Sequence, residues 1–263
     1  MLLLSHLLLV MTSCWLVSGQ SVPTVPCYGP DCSVTKSTTE SITGDSTSTT
    51  STTPSTTTFT TPPTTTPPSG SIQRTVVFIY KVTQPNQDMF IRGGIDSAIV
   101  RPICQGDQDA ETSKCAISIE TNSLGTGTSW QKYDAWRIGD TKLDWYGAQK
   151  GQGTYNGALA QGTPMAWTTD NPAAPEYQPL NKWGDAHWMV DFDMDCSETE
   201  MGWFDVKAFL TNFGWESDIV QYPCSGPDGS DPTPYSGTKN HMARCGFINR
   251  FNFNAGSCEI IAF

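Results

Sequence analysis

Eight of the nine tryptophans fall between Trp130 and Trp215, and they are the residues in this chain best suited to recognition chemistry. An indole stacks on the apolar C–H face of a sugar ring while neighbouring amides and carboxylates hydrogen-bond its hydroxyls. Trp183 stands in Asn181-Lys182-Trp183-Gly184-Asp185, a polar, turn-like stretch, and Trp203 alternates onto a strand face shared with Asp205 and Lys207. Trp215 lies in Asn212-Phe213-Gly214-Trp215-Glu216, which reads as a hairpin tip. Periodicity leaves these three without a core face. They are the expected stacking platforms, with Asn181, Asp185 and Asp205 as hydrogen-bonding neighbours. Trp145 and Tyr146, between Asp144 and Gly147, form a second candidate patch. Trp188 shares a face with Val190 and Phe192 and is expected in the core.

Other chemistries find less support. Asp191, Asp193 and Asp195, with Asp185, Glu198 and Glu200 nearby, offer the oxygen ligands that Ca²⁺ takes. Alternate residues of one strand point the same way, however, and cannot wrap an ion by themselves. A solvated acidic face is the expectation, with no metal and no cofactor. No CxxC pair or Cys/His cluster has zinc spacing, and no Gly-x-Ser-x-Gly elbow, Walker loop or HExxH helix occurs. A glycoside hydrolase would need two carboxylates flanking the scissile bond, and no pair stands out by spacing. Cleavage of a leader before Gln20 would expose glutamine rather than the N-terminal histidine of copper-dependent polysaccharide oxidases. The residues point to binding without catalysis.

Charge narrows the ligand. The chain carries −11 overall, and residues 71–263 hold 14 basic against 23 acidic side chains, a net −9. Such a surface repels phosphate backbones and anionic membranes, so neither nucleic acid nor membrane insertion is expected. Neutral polysaccharides, glycans and cations are compatible with it.

The elements that must position these residues follow from composition. Residues 1–19 read as a signal peptide, with apolar runs at 2–4 and 7–11 and small residues before Gln20. Residues 20–32 form a short segment closed by Cys27 and Cys32. Of the 38 residues from 33 to 70, 25 are Ser or Thr, with prolines paired at 62–63 and 67–68. With almost nothing to bury, this segment is expected to be a disordered, mucin-like stalk carrying O-glycans. Residues 71–263 suit one domain. Thr75–Val82 places Val76, Phe78, Tyr80 and Val82 on one face. His187–Cys196 places Trp188, Val190, Phe192, Met194 and Cys196 inward and Met189, Asp191, Asp193 and Asp195 outward. Gly202–Leu210 sets Phe204, Val206, Ala208 and Leu210 against Trp203, Asp205, Lys207 and Phe209. Gly93-Gly94, Asn171-Pro172, Gly226-Pro227 and Asp231-Pro232 punctuate the chain as turns. The expected fold is all-β, an antiparallel β-sandwich. Beyond the leader's Cys14, the even set Cys27, Cys32, Cys104, Cys115, Cys196, Cys224, Cys245 and Cys258 implies an extracellular disulfide framework. Proximity favours Cys27–Cys32, Cys104–Cys115 and Cys245–Cys258, leaving Cys196–Cys224.

Three segments carry a family likeness: Arg74–Lys81 with Gln87–Asp96, Lys182–Cys196, and Glu200–Lys207. Phe90-Ile-Arg-Gly-Gly-Ile-Asp96 and Asp191-Phe-Asp-Met-Asp-Cys196 are the most specific. Together they resemble the accessory, starch-binding-like module at the C-terminal side of some invertebrate and bacterial α-amylases, over about residues 74–263. The resemblance implies a β-sandwich associated with α-glucans such as starch or glycogen, here with a mucin-like stalk in place of an amylase barrel. A secreted α-glucan-binding protein is therefore the leading expectation. The competing readings are a structural glycoprotein of mucus or extracellular matrix, with or without cation binding, and a secreted glycoside hydrolase.

Overall fold

Two β-sheets hold most of the regular secondary structure of the computed structural model, which describes residues 72–96, 98–100, 104 and 109–263. The expected signal peptide, Cys27–Cys32 segment and mucin-like stalk lie outside the described residues.

The first sheet is built on β1 (Ile72–Tyr80) and β9 (His187–Asp195), which pair antiparallel over their whole lengths, from Ile72 opposite Asp195 to Tyr80 opposite His187. Across it the strand order is β14 (Ala255–Ile261), β13 (Ile248–Asn252), β1, β9, β3 (Ile117–Thr121) and β4 (Lys142–Leu143), with β8 (Ala166–Thr168) also on β9. The second sheet has the order β11 (Gly214–Trp215), β10 (Trp203–Leu210), β2 (Met89–Gly94) and β7 (Thr163–Pro164), with β12 (His241–Arg244) also on β10. A two-stranded ribbon, β5 (Thr154–Tyr155) and β6 (Ala158–Leu159), stands apart from both. One short helix, α1 (Gln131–Arg137), interrupts the strands and buries Tyr133 and Trp136.

The pairing is not purely antiparallel, as the sequence led one to expect. β1 and β13 run parallel, with Val76 opposite Ile248. That central position explains a second departure. Thr75, Val76, Val77, Phe78 and Ile79 are all buried, so the centre of β1 has no solvent face. Val77 and Ile79 join the main core, whereas Val76 and Phe78 pack with Met189 and Ile248 in a second apolar cluster. Tyr80 is exposed and Val82 lies beyond the strand.

The inward sets of β9 and β10 are found as periodicity has them. Trp188, Val190, Phe192, Met194 and Cys196 meet Phe204, Val206, Ala208 and Leu210 in one apolar cluster drawn from both sheets. Gly93-Gly94 is a correction: the pair ends a paired strand rather than marking a turn. Gly93 lies opposite Val206 and Gly94 opposite Asp205. A Cβ on Gly93 would come within 2.2 Å of the Asp205 carbonyl oxygen, so only glycine allows this approach.

Three disulfides are present among the described residues. Cys104–Cys115 is the expected local loop. The other two correct the proximity argument: Cys196 pairs with Cys245, 49 residues away, and Cys224 with Cys258, 34 away. Cys196 follows β9 and Cys245 follows β12, so this bridge joins strands of different sheets.

Candidate functional site

The second face of β10 carries Trp203 and Asp205 away from the main core. Periodicity reads that face as solvent-facing, but Trp203 is only 4% exposed and Asp205 is fully buried. The cover is the long connection between β11 and β12. Trp203 packs with Met242 and Ile260, and with the half-buried Cys224, Tyr235 and Phe247.

Polar contacts hold that connection in place. Gln221 Oε1 accepts from Met242 N at 2.8 Å, and Gln221 Nε2 donates to Met242 O at 3.1 Å. One side-chain amide thus pairs with both backbone groups of a β12 residue. The Cys224–Cys258 bridge ties the same stretch to β14, where Ser225 N donates to Cys258 O and Ile260 N to Ser225 O. Lys207 and Lys239 both bind Asp218 at 2.9 Å. Together they hold the Asp218 carboxyl at about 2, Lys239 being the leading cause. Arg244 reaches Asp231 at 2.5 Å and the Asp228 carbonyl at 3.0 Å.

Between the anchored strips lies a cavity of about 610 Å³. Trp203 and Met242 line it, Tyr222 and Tyr235 contribute aromatic walls, and Thr238 and Lys239 are among its polar groups. Tyr222 is 66% exposed, so part of the lining is open to a ligand. Behind this wall sits the Asp205 carboxylate, which accepts from the hydroxyls of Tyr235 and Thr238 and, at 3.4 Å, from Asn240 Nδ2. Burial pushes Asp205 up to about 6, against the opposing pull of the Thr238 and Tyr235 hydroxyls. With its donors already supplied by the protein, Asp205 positions the cavity wall.

The other sequence-predicted residues divide between two further places. Trp215 is 41% exposed. Its ring lies edge-on to Phe209, and the Arg92 guanidinium sits 4.8 Å from the Trp215 ring and 5.1 Å from that of Phe209. Arg92 also donates to Gln161 O at 2.7 Å and packs against Gly147, which brings the Trp145–Tyr146 stretch to the same cation. Trp145 is half-buried, its Nε1 donating to Ile95 O at 3.1 Å. Tyr146 is half-buried too, and its backbone N–H bonds Asp144. Burial raises the Asp144 carboxyl to about 6, and Asp140 is raised well above the usual range for the same reason. Gln149 Nε2 lies within hydrogen-bond distance of both carboxylates, at 2.8 Å from Asp140 and 3.2 Å from Asp144.

Trp183, Asn181 and Asp185 lie in the loop that leads into β9 of the first sheet. Trp183 is half-buried, packs edge-on against Phe78 at 5.1 Å and donates from Nε1 to Glu259 at 2.8 Å. Asn181 is buried and serves the turn itself, bonding Thr168 Oγ1, Gly184 O and Trp183 N. Asp185 is exposed and accepts from Thr169 Oγ1. His187, beside them, receives Arg250 Nε on its Nε2 at 3.2 Å. Burial holds its pKa below the ordinary histidine value.

The acidic row on β9 is corrected as well. Asp191 is buried, takes Arg74 Nη2 at 2.5 Å and Nε at 3.1 Å, and accepts from Asn122 Nδ2 at 3.1 Å. Asp195 accepts from Ser197 N at the start of the turn after β9. Among the described residues no group of three or more His, Cys, Asp or Glu side chains is placed to hold a metal. The site thus joins two of the predicted residues, Trp203 and Asp205, to Gln221, Tyr222, Tyr235, Thr238 and Met242, which sequence reasoning missed. Two tyrosines in a Pro- and Gly-rich stretch otherwise poor in apolar residues were the available signal.

No family model matches the chain, and neither a curated protein nor a solved structure does.

Proposed function

We propose that residues 71–263 form a β-sandwich carbohydrate-binding module of a secreted protein, acting without catalysis, with its primary glycan site in the cavity under residues 219–239. The observation that carries this reading is the make-up of that cavity. Trp203, Tyr222 and Tyr235 supply apolar ring faces, and the hydroxyls and amides of a Ser/Thr-rich loop stand around them. Its volume of about 610 Å³ falls within the range of small-ligand sites. A net charge of −9 over the domain favours a neutral ligand. The choice of α-glucan rests on the resemblance of the Phe90–Asp96 and Asp191–Cys196 segments to the amylase accessory module. Among the described residues no helix is long and apolar enough to cross a membrane, which is compatible with secretion, as are the disulfides. The stalk would then space the module from whatever holds its N-terminal side.

A second reading has its own support. Of the eight tryptophans from Trp130 to Trp215, only Trp215 is exposed. These tryptophans present no row of open rings, as suits a structural glycoprotein cross-linked through its stalk. A glycan array probed with the secreted chain separates the two. Selective capture by α-glucans supports the binding module. A blank array, with the chain retained instead in mucin gels, supports the structural protein.

A further inference from the structure

A second cavity, of about 310 Å³, opens beside α1. Separate elements build it: Trp167 of β8, Trp188 of β9, Tyr133 and Lys132 of α1, Asp88 just before β2, and Glu176 after β8. Trp167 and Trp188 lie directly opposite one another in the β8–β9 pairing, so their side chains share a sheet face. Trp188 is buried, and its Nε1–H has no acceptor among the described residues. A water molecule's share of liquid volume is about 30 Å³, so the space is far larger than a one-water pocket.

The polar rim is already ordered. Lys132 Nζ binds both Asp88 oxygens, at 2.7 and 2.9 Å, and Glu176 accepts from Ser129 Oγ at 3.0 Å. Two carboxylates against one ammonium leave the lining net negative, which disfavours anions.

We propose that this cavity is a second carbohydrate subsite that takes a single neutral sugar ring. The half-buried Trp167 carries the ring face, with Trp188 beside it, and Lys132, Asp88 and Glu176 meet hydroxyls. This inference takes from the proposed function only the class of ligand; it does not need the larger cavity to bind.

Indole N–H resonances of the ¹⁵N-labelled, secreted chain test it, titrated separately with D-glucose, D-galactose and D-mannose. Trp188 and Trp167 report this cavity and Trp203 the larger one. The expected result is a saturable shift of the Trp188 and Trp167 signals with at least one sugar. Trp167→Ala should weaken it by about tenfold, and Tyr222→Ala, in the other cavity, should leave it unchanged. Shifts confined to Trp203 would overturn the subsite and leave the proposed function standing. Shifts at Trp188 and Trp167 alone would uphold the subsite and count against the larger cavity. No shift at Trp188 and Trp167 with any of the three sugars, or loss of their shift in Tyr222→Ala, would overturn this inference.

Discussion

The phenol of Tyr235 donates to the buried carboxylate of Asp205, which ties the wall of the larger cavity to the second face of β10. Removing that donor alone, in Tyr235→Phe, deprives a buried carboxylate of a charge-assisted bond. A loss of about 1.5–3 kcal/mol is expected near neutral pH, together with weaker glycan binding. Chemical denaturation checks the first effect and a binding titration the second. A variant as stable as the parent would remove Asp205 from its wall-holding role.

The buried carboxylates also set a pH dependence. Asp205 and Asp144 are raised to about 6 and Asp140 is raised well above the usual carboxylate range, burial being the first cause in each. A folded-state value above the unfolded one means that the native state holds these protons more tightly. Their contribution to stability is therefore fully present below about pH 4 and is lost as pH rises through 6. A rise from 3.8 to about 6 is worth up to roughly 3 kcal/mol per group. Asp218, held at about 2, does not titrate in this window. Melting temperature should fall from about pH 4.5 to about pH 7.5, and Asp205→Asn should flatten part of that fall. A melting temperature that climbs over the same range would contradict the assignment.

The disulfides separate stability from binding. Replacing Cys224 and Cys258 by Ala should cost about 2–4 kcal/mol and also weaken glycan binding, because the bridge anchors the segment that bears Tyr222. Replacing Cys104 and Cys115 should reduce stability while leaving binding intact. Peptide mapping of the non-reduced protein should recover the Cys196–Cys245 and Cys224–Cys258 pairs. Recovery of Cys245–Cys258 would refute the connectivity.

Tryptophan truncations should fall into two groups. Trp188→Ala removes a core side chain and should destabilise the fold by about 3–5 kcal/mol. Trp215→Ala, at an exposed position held by Arg92 and Phe209, should move the melting temperature little. Thermal melts of both variants decide the point.

These outcomes bear on what the sequence could disclose. Alternation in His187–Cys196 and Gly202–Leu210 marked the faces that meet in the core, because a strand's period of two is local information. It could not say what covers the opposite faces. Asp191 lies buried under Arg74, 117 positions away, and Trp203 lies under residues 219–239, a stretch with no period of its own. The same limit misassigned Cys196 and Cys245, which are brought together by two different sheets rather than by proximity in the chain. Gly93-Gly94 read as a turn because close backbone approach and turn formation select the same residue.

Depletion of the purified chain by insoluble starch, beside its Tyr222→Ala variant, tests the central claim most directly. The cavity is open on the Tyr222 side and a glucan is well hydrated, so the wild type should bind with Kd of about 10 μM to 1 mM, or roughly −4 to −7 kcal/mol. Loss of the exposed Tyr222 ring should weaken this by about 1 kcal/mol with the melting temperature unchanged. Binding that is as strong in Tyr222→Ala as in the wild type would contradict the cavity assignment, and no depletion of the wild type by starch or glycogen would contradict the α-glucan ligand itself.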